Sequence, residues 1–245
     1  MIKNIAFLEL KYGNIYGGYP NYYAISEAAF LVFEPKTNKI FLESMENTID
    51  VDIVSVYSKV NELGNTIAKV REVVNLKTRR ISPYDEEFKL SERELDNAFY
   101  RLRPSKHFLK NFLLKKCLMK YRPQVILTFD GRRDVFLCTK AGVNFDRVRI
   151  HDMQKDITKE TNYLFSLNKL AKVIGFQATD THLRSNGLEY WLHPIAARQI
   201  YPKTAAYDAA RLFMIHQEYR ENHEDFIMKA ALLLNKIEMD KKVNG

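Results

Sequence analysis

Apolar positions in the first third of the chain recur with the spacing of short strands. Residues 5–10 form one apolar run, and residues 28–33 and 39–44 form two more that are joined by a turn-like segment. Residues 52–62 and 66–74 lie on either side of a Leu-Gly-Asn turn. Runs of this length, bounded by Gly, Pro and Asn, are typical of strands connected as hairpins. The pattern therefore predicts an antiparallel meander at the start of the chain.

Helical periodicity replaces the strand pattern after about residue 90. Ser91 and Glu94 have the spacing of a capping box, which indicates a helix start. A second helix is predicted from about Ser105, because apolar residues recur there on one face. Further helices are predicted over residues 134–141, 166–174, 205–219 and 225–239, with strands over 125–129 and 148–150. Strands followed by alternating helices and strands predict an α/β protein with a mixed sheet flanked by helices.

No internal repeat or linker divides the sequence. We therefore expect residues 1–245 to form a single domain, with an inserted hairpin around 50–76. An irregular excursion that contains a short helix is expected around 177–202, where His, Trp, Gly and Pro are mixed.

Composition and charge narrow the class of protein. Hydrophobic residues make up 46% of the 245 residues, which excludes wholesale disorder. Two cysteines exclude a disulfide scaffold and a cysteine-built zinc site, and they fit buried thiols in a reducing compartment. No apolar run approaches the roughly 18 residues that span a membrane, and the amino terminus predicts a strand instead of a signal peptide. We expect a cytoplasmic protein with no membrane partner, whose net charge of +8 permits binding to nucleic acid.

Three stretches, taken in chain order, carry a family resemblance. They are residues 5–12 (IAFLELKY) with 25–32 (ISEAAFLV), residues 125–137 (VILTFDGRRDVFL) with 141–143 and 150–152, and residues 167–175 (LNKLAKVIG) with 204–212 (TAAYDAARL). The chain resembles the DEDD-type 3′–5′ exonucleases, the family of ribonuclease T and the proofreading subunit of the replicative DNA polymerase. The resemblance implies a ribonuclease H-like mixed sheet, in which an antiparallel meander is followed by parallel strands. It also implies two Mg²⁺ or Mn²⁺ ions held by four carboxylates.

The resemblance transfers only part of the family's site to this sequence. Asp134 and Asp208 match the family's middle and last aspartates, and Glu9 stands where the first aspartate belongs. Lys11 stands where the glutamate of that first pair belongs, and Lys203 stands where the general-base histidine belongs. The residual carboxylates Glu9, Asp134 and Asp208 are therefore the candidate catalytic residues, and the candidate metal ligands if a cation is bound.

A lysine beside a metal pair opposes catalysis. At about 4 Å and an effective dielectric of 20, repulsion between Lys11 and a cation costs about 4 kcal/mol per unit of metal charge. A lysine with a pKa near 10.4 is also a poor base at neutral pH. We expect Lys11 to pair with Asp134 and Asp208 instead, so the predicted cofactor is none or a weakly bound Mg²⁺ or Mn²⁺. Lys11, Arg132, Arg133 and Lys203 are then candidate contacts for nucleic-acid phosphates.

Three functions follow from these residues. The first is a pseudo-exonuclease that still binds single-stranded DNA or RNA, or a protein partner, through its cleft. The second is an active Mg²⁺- or Mn²⁺-dependent 3′–5′ exonuclease with a rearranged site, and the third is a non-catalytic scaffold or regulatory protein. Structural alternatives stand beside these roles: Asp134 has the position of a helix cap, and Asp208 that of a partly exposed helix acid. The tyrosines after the predicted first strand also have two interpretations, because they could stack on bases or pack within a long loop. They are Tyr12, Tyr16, Tyr19, Tyr22 and Tyr23.

Overall fold

Strands dominate the first third of the chain and recur between helices later. The computed structural model describes residues 4–19 and 22–244. Its strands are β1 (Ile5–Ile15), β2 (Tyr23–Glu34), β3 (Lys39–Glu46), β4 (Asp52–Val60), β5 (Thr66–Asn75), β6 (Ile81–Pro83), β7 (Val125–Thr128), β8 (Arg149–Asp152), β9 (Gln177–Ala178), β10 (His182–Arg184) and β11 (Glu189–Trp191). β1 and β2 are longer than predicted, so Tyr12 and Tyr23 lie on strands instead of in a loop. Residues 20 and 21 of that predicted loop lie outside the described residues.

Most of the predicted helices are present. The helices are α1 (Glu92–Asn111), α2 (Met119–Tyr121), α3 (Arg132–Lys140), α4 (Met153–Thr161), α5 (Leu167–Val173), α6 (Pro194–Ala197), α7 (Ala205–Glu221) and α8 (His223–Asn244). The capping box at Ser91 is confirmed, because its side chain and that of Glu94 each accept from the other's backbone N–H. The predicted second helix start at Ser105 is wrong: α1 runs through Pro104 and continues into a π-helical segment, Phe112–Leu118.

The mixed α/β composition is confirmed, but the prediction of a ribonuclease H-like sheet is wrong. The main sheet follows one continuous path, β3-β2-β1-β4-β5-β6, whose six strands form an antiparallel half-barrel. The 50–76 hairpin, β4–β5, is part of this path. It joins because β1 continues past Leu10, so that Asn14 and Ile15 pair with Val54 and Ile53. The sequence pattern placed the end of β1 too early and therefore missed the extension of the antiparallel sheet.

Two short strands lie off the antiparallel path. β7 pairs in parallel with the start of β1, over Ile5 to Phe7, and β8 pairs in parallel with β7. This placement brings the carboxyl end of β7 beside the middle of β1. The turn after β7 leads directly into α3, so the amino end of α3 lies next to β1.

Alternation along β1 separates two hydrophobic cores. Phe7 belongs to a core with α7, whereas Ala6, Leu8 and Leu10 belong to a core on the other face with α1, the π-helical segment and α3. Because successive strand residues point to opposite faces, Glu9 and Lys11 share the α7 face with Phe7.

Helix α7 lies close to the sheet because its first turns are built from alanines. Ala205, Ala206, Ala209 and Ala210 are buried, and Phe213 packs edge-on against Phe7 with ring centroids 5.4 Å apart. Small side chains bring the first turn of α7 within reach of β1 and β2. Asp208, which lies in that turn, is therefore directed at the sheet.

The 177–202 excursion contains more regular structure than its sequence suggests. It forms a three-stranded antiparallel sheet, β9–β11, followed by the short helix α6. Across the described residues, no helix combines the length and the apolar character needed to cross a membrane.

Candidate functional site

Three carboxyl groups and one ammonium group from three elements form a cluster, which we call the carboxylate cluster: Glu9, Lys11, Asp134 and Asp208. Glu9 and Lys11 are successive residues on the α7 face of β1. Asp134 lies in the first turn of α3, and Asp208 lies in the first turn of α7. Thr204 caps α7 by accepting the N–H of Tyr207 at 3.1 Å, which fixes where that helix starts.

The turn between β7 and α3 is tight, and it determines where Asp134 lies. Asp130 has a left-handed backbone with φ of 52°. Gly131 follows, and a Cβ at this position would lie 2.2 Å from the Thr128 Cβ, so that close approach requires glycine. Asp134 lies near the start of α3, as predicted, and its carboxyl group is buried, with 6% of the residue exposed.

Glu9 is a buried carboxyl, and one of its oxygens has no hydrogen-bond partner. Its side chain is 8% exposed, and Oε1 makes no hydrogen bond to the described residues. Burial raises the pKa of Glu9 well above its ordinary value, and the negative charges of Asp134 and Asp208 raise it further, against the opposing effect of Lys11. The surroundings of Glu9 therefore favour its protonated form.

The ammonium of Lys11 is held by an ion pair with Asp208. Its Nζ donates to Oδ2 of Asp208, and the two side chains are 34% and 16% exposed. Burial by itself lowers the pKa of Lys11, but Asp208, Glu9 and Glu27 outweigh it and raise that pKa above its ordinary value. Lys11 thus carries a firm positive charge inside the cluster. Its predicted pairing with Asp208 is confirmed, and Asp134 interacts with it electrostatically without a hydrogen bond among the described contacts.

A second cation holds the other oxygen of Asp208. Arg211 Nη1 lies 3.2 Å from Oδ1 of Asp208 and donates to Oδ1 of Asn168 at 2.6 Å. The guanidinium also lies over the Tyr207 ring at 4.2 Å. Asp208 is therefore neutralised from two sides. The sequence signal for Arg211 was its position three residues after Asp208 on a helix, a spacing at which side chains meet.

Asp134 has a strongly perturbed carboxyl group. Burial raises its pKa to about 7, and the charge of Asp130 adds to this effect. Lys11 and the Leu10 N–H, which donates to the carboxylate, act in the opposite direction. Asp134 therefore changes its charge near neutral pH, at a point where β1 and α3 meet.

The cluster does not fit a pair of divalent cations. Mg²⁺ and Mn²⁺ require several ionised oxygen ligands, but burial raises the pKa of Glu9, and Asp208 is ion-paired with both Lys11 and Arg211. In the part of the chain that the structure describes, no group of three or more His, Cys, Asp or Glu side chains is arranged to hold a metal ion. The ammonium of Lys11 also places a positive charge among these carboxyl groups, which opposes the binding of a cation.

A surface cavity opens beside the cluster, and we call it the basic cavity. It has a volume of about 670 Å³ and lies over the β1–β2 edge and the start of α3. Its lining combines three aromatic rings with three cations and one acid, namely Tyr12, Tyr23, Phe136, Arg132, Arg133, Lys140 and Asp130. The charge of Asp134 contributes, after burial, to a raised pKa of Tyr12, so the cavity and the cluster are electrostatically connected.

The two predicted arginines line this cavity, but neither of the predicted lysines, Lys11 and Lys203, belongs to its lining. Arg132 and Arg133 are exposed, and Arg133 donates to the Tyr23 hydroxyl with its guanidinium 4.7 Å from the ring centroid. Lys203 has a left-handed backbone with φ of 75°, and its ammonium lies over the Tyr57 ring on β4 at 4.6 Å. Among the described contacts, none joins Lys203 to the cluster, because the turn before α7 directs it towards the β4–β5 hairpin.

Glu27 has a structural role. It accepts the Ala205 N–H at 2.8 Å and so ties β2 to the start of α7, opposite Lys11 in the strand register. Asp152 caps α4 by accepting the Gln154 N–H at 3.2 Å. These two carboxylates organise the backbone around the cluster and leave its four members facing one another.

Neither a protein-family model nor a curated protein sequence matches this chain.

Proposed function

We propose that the protein binds single-stranded nucleic acid in the basic cavity and that the neighbouring carboxylate cluster does not cut it. The observation that carries this proposal is the lining of the cavity, which combines the aromatic rings of Tyr12, Tyr23 and Phe136 with Arg132, Arg133 and Lys140. Cations attract the phosphate backbone, and aromatic rings stack on bases of any sequence. The resemblance of the chain to DEDD-type exonucleases remains part of this proposal.

The non-catalytic part rests on the chemistry of the cluster. Two-metal hydrolysis needs metal ions to activate water and to stabilise the leaving oxygen. Here Lys11 pairs with Asp208, and burial raises the pKa of Glu9, and both effects oppose the coordination of metal ions. Lys11 adds a positive charge to the carboxylate cluster, which suits a phosphate better than a cation.

Binding is tested by fluorescence anisotropy with fluorescein-labelled single-stranded DNA and RNA of about 12 nucleotides, a length within the usual site size. The titrations contain EDTA and span about 50 to 200 mM salt. We expect salt-dependent binding at micromolar protein or tighter, and a large loss in the double variant Arg132→Glu/Arg133→Glu. The matched control is Lys115→Glu/Lys116→Glu, which reverses two exposed lysines outside the cavity.

Cleavage is tested on end-labelled oligonucleotides incubated with Mg²⁺ or Mn²⁺. We expect intact substrate throughout the time course. Shortening that disappears in Asp134→Ala and Asp208→Ala would establish an exonuclease and overturn the non-catalytic part. If the wild-type protein binds neither single-stranded DNA nor RNA, the result would instead favour a scaffold or a protein-binding role.

A further inference from the structure

A second cavity adjoins the basic cavity, and we call it the α1–α3 cleft. It has a volume of about 540 Å³, within the range of small-molecule sites. It shares Tyr23, Phe136 and Lys140 with the basic cavity, so the two form a continuous surface depression. The cleft extends that depression across α3 as far as α1.

Exposed aromatic rings distinguish the cleft from ordinary protein surface. Phe136 is 50% exposed and Tyr22 is 43% exposed. The Tyr22 ring meets the Phe99 ring edge-on at 4.7 Å, which holds it against α1. Solvent-exposed rings fixed in this way present apolar faces without a large ordering cost, which suits the stacking of a planar ligand.

The charge of the cleft selects an anionic ligand. Arg103 and Lys106 from α1 and Lys140 from α3 belong to its lining, which contains no Asp or Glu among the described residues. The Lys140 ammonium lies 5.0 Å from the centroid of the Phe136 ring, so cation and ring act together. A neutral apolar ligand would leave the three cations unused, whereas a nucleotide uses both rings and cations.

We propose that the α1–α3 cleft binds unpaired bases of the same single strand whose phosphates contact Arg132 and Arg133. The strand then runs through the basic cavity and across α3 to α1. This inference rests on the proposed function and deepens it, because it assigns base-stacking contacts and a path to the bound strand. Tyr22 and Phe136 stack on bases, and Arg103, Lys106 and Lys140 contact the phosphates between them.

The test compares cleft variants with a strand that lacks bases. Anisotropy titrations use a labelled oligothymidine of about 12 nucleotides and an abasic strand of the same length. We expect Tyr22→Ala to weaken binding of oligothymidine about fivefold or more and to leave the abasic strand unaffected. Arg103→Glu/Lys106→Glu should weaken both strands. Phe108→Ala and Lys115→Glu/Lys116→Glu, which change exposed groups outside the cleft, serve as matched controls.

The outcomes separate this inference from the proposed function. If wild-type protein binds and Arg132→Glu/Arg133→Glu abolishes binding, while both cleft variants bind like wild type, only the cleft assignment is overturned. If wild-type protein binds neither strand, both proposals are overturned. A poly-glutamate peptide that binds wild type but not Arg103→Glu/Lys106→Glu, and that oligothymidine does not displace, would assign the cleft to an acidic protein segment and overturn the inference. Circular dichroism of each variant confirms that it is folded.

Discussion

Replacing Lys11 by Met removes the ammonium from the carboxylate cluster while it keeps most of the side-chain length. Breaking a buried ion pair costs about 3–5 kcal/mol when it leaves a buried charge without a partner. Here the cost is smaller, because the Lys11 side chain is 34% exposed and Arg211 still holds Asp208 at 3.2 Å. We expect a loss of about 1–2 kcal/mol in the free energy of unfolding, which corresponds to a melting temperature lower by about 2–8 °C.

The loss of unfolding free energy in Lys11→Met should grow as the pH rises. A carboxyl whose pKa is raised by folding binds its proton more tightly in the folded state, so stability falls as the pH rises from the unfolded pKa towards the folded one. For Asp134 that window ends at about pH 7. Lys11 lowers the pKa of both Asp134 and Glu9 in the folded protein. Without Lys11, the pKa of each carboxyl group in the folded protein is higher. Stability then falls over a wider range of pH, and the total decline is larger.

Thermal and urea unfolding, followed by circular dichroism at about pH 5 and about pH 8, measures both effects. The expected result is a modest loss in Lys11→Met at the lower pH and a larger loss at the higher one. Lys115→Met, at an exposed position, controls for the removal of one positive charge. An equal loss at both pH values, or no loss relative to Lys115→Met, would refute the electrostatic coupling of Lys11 to the cluster.

Further variants test other parts of the site. Asp134→Asn should stabilise the protein by about 1–3 kcal/mol more at about pH 8 than at about pH 5, because the buried carboxyl that it removes loses its proton in the folded protein only near pH 7; a pH-independent change in urea unfolding would contradict this. Lys203→Ala should leave nucleic-acid affinity unchanged, since its ammonium lies over Tyr57; a loss in anisotropy titrations equal to that of the arginine variants would place Lys203 in the binding site. Gly131→Ala should cost about 1–3 kcal/mol, because its Cβ would clash with Thr128, and wild-type stability in thermal unfolding would argue against the tight turn.

Hydrophobic periodicity predicts the hairpins and the capped helices, because these features depend on residues that are close together in the sequence. The turn at residues 61–65 and the capping box at Ser91 are local features, and both have the expected structure. The sheet as a whole depends on residues far apart in the chain. Lys11, Tyr12 and Gly13 interrupt the apolar pattern, so the sequence indicates a strand end, whereas pairing with β2 and β4 carries β1 on to Ile15. Helix α4 was missed as well, because its short amphipathic pattern follows β8 directly.

The members of the cluster were predictable from sequence, but their partners were only partly so. The resemblance of the first strand to that of the DEDD-type exonucleases singled out Glu9 and Lys11. Which carboxylate Lys11 would pair with depends on how closely the alanine-rich face of α7 approaches the sheet. The position of Lys203 depends on one left-handed residue before Thr204. A spacing rule cannot supply that backbone conformation, so Lys203 was assigned to the wrong surface.

Salt dependence tests the central claim, that phosphates bind at Arg132 and Arg133 without a metal ion. Each phosphate contact to a single strand contributes a slope of about −0.7 to a plot of log affinity against log salt concentration. The measurement compares wild type with Arg132→Gln/Arg133→Gln by anisotropy in EDTA. We expect wild-type binding with a steep negative slope, and a double variant that binds more weakly with a slope shallower by about 1.4. Equal slopes and affinities for the two proteins, or wild-type binding that requires Mg²⁺, would contradict the account.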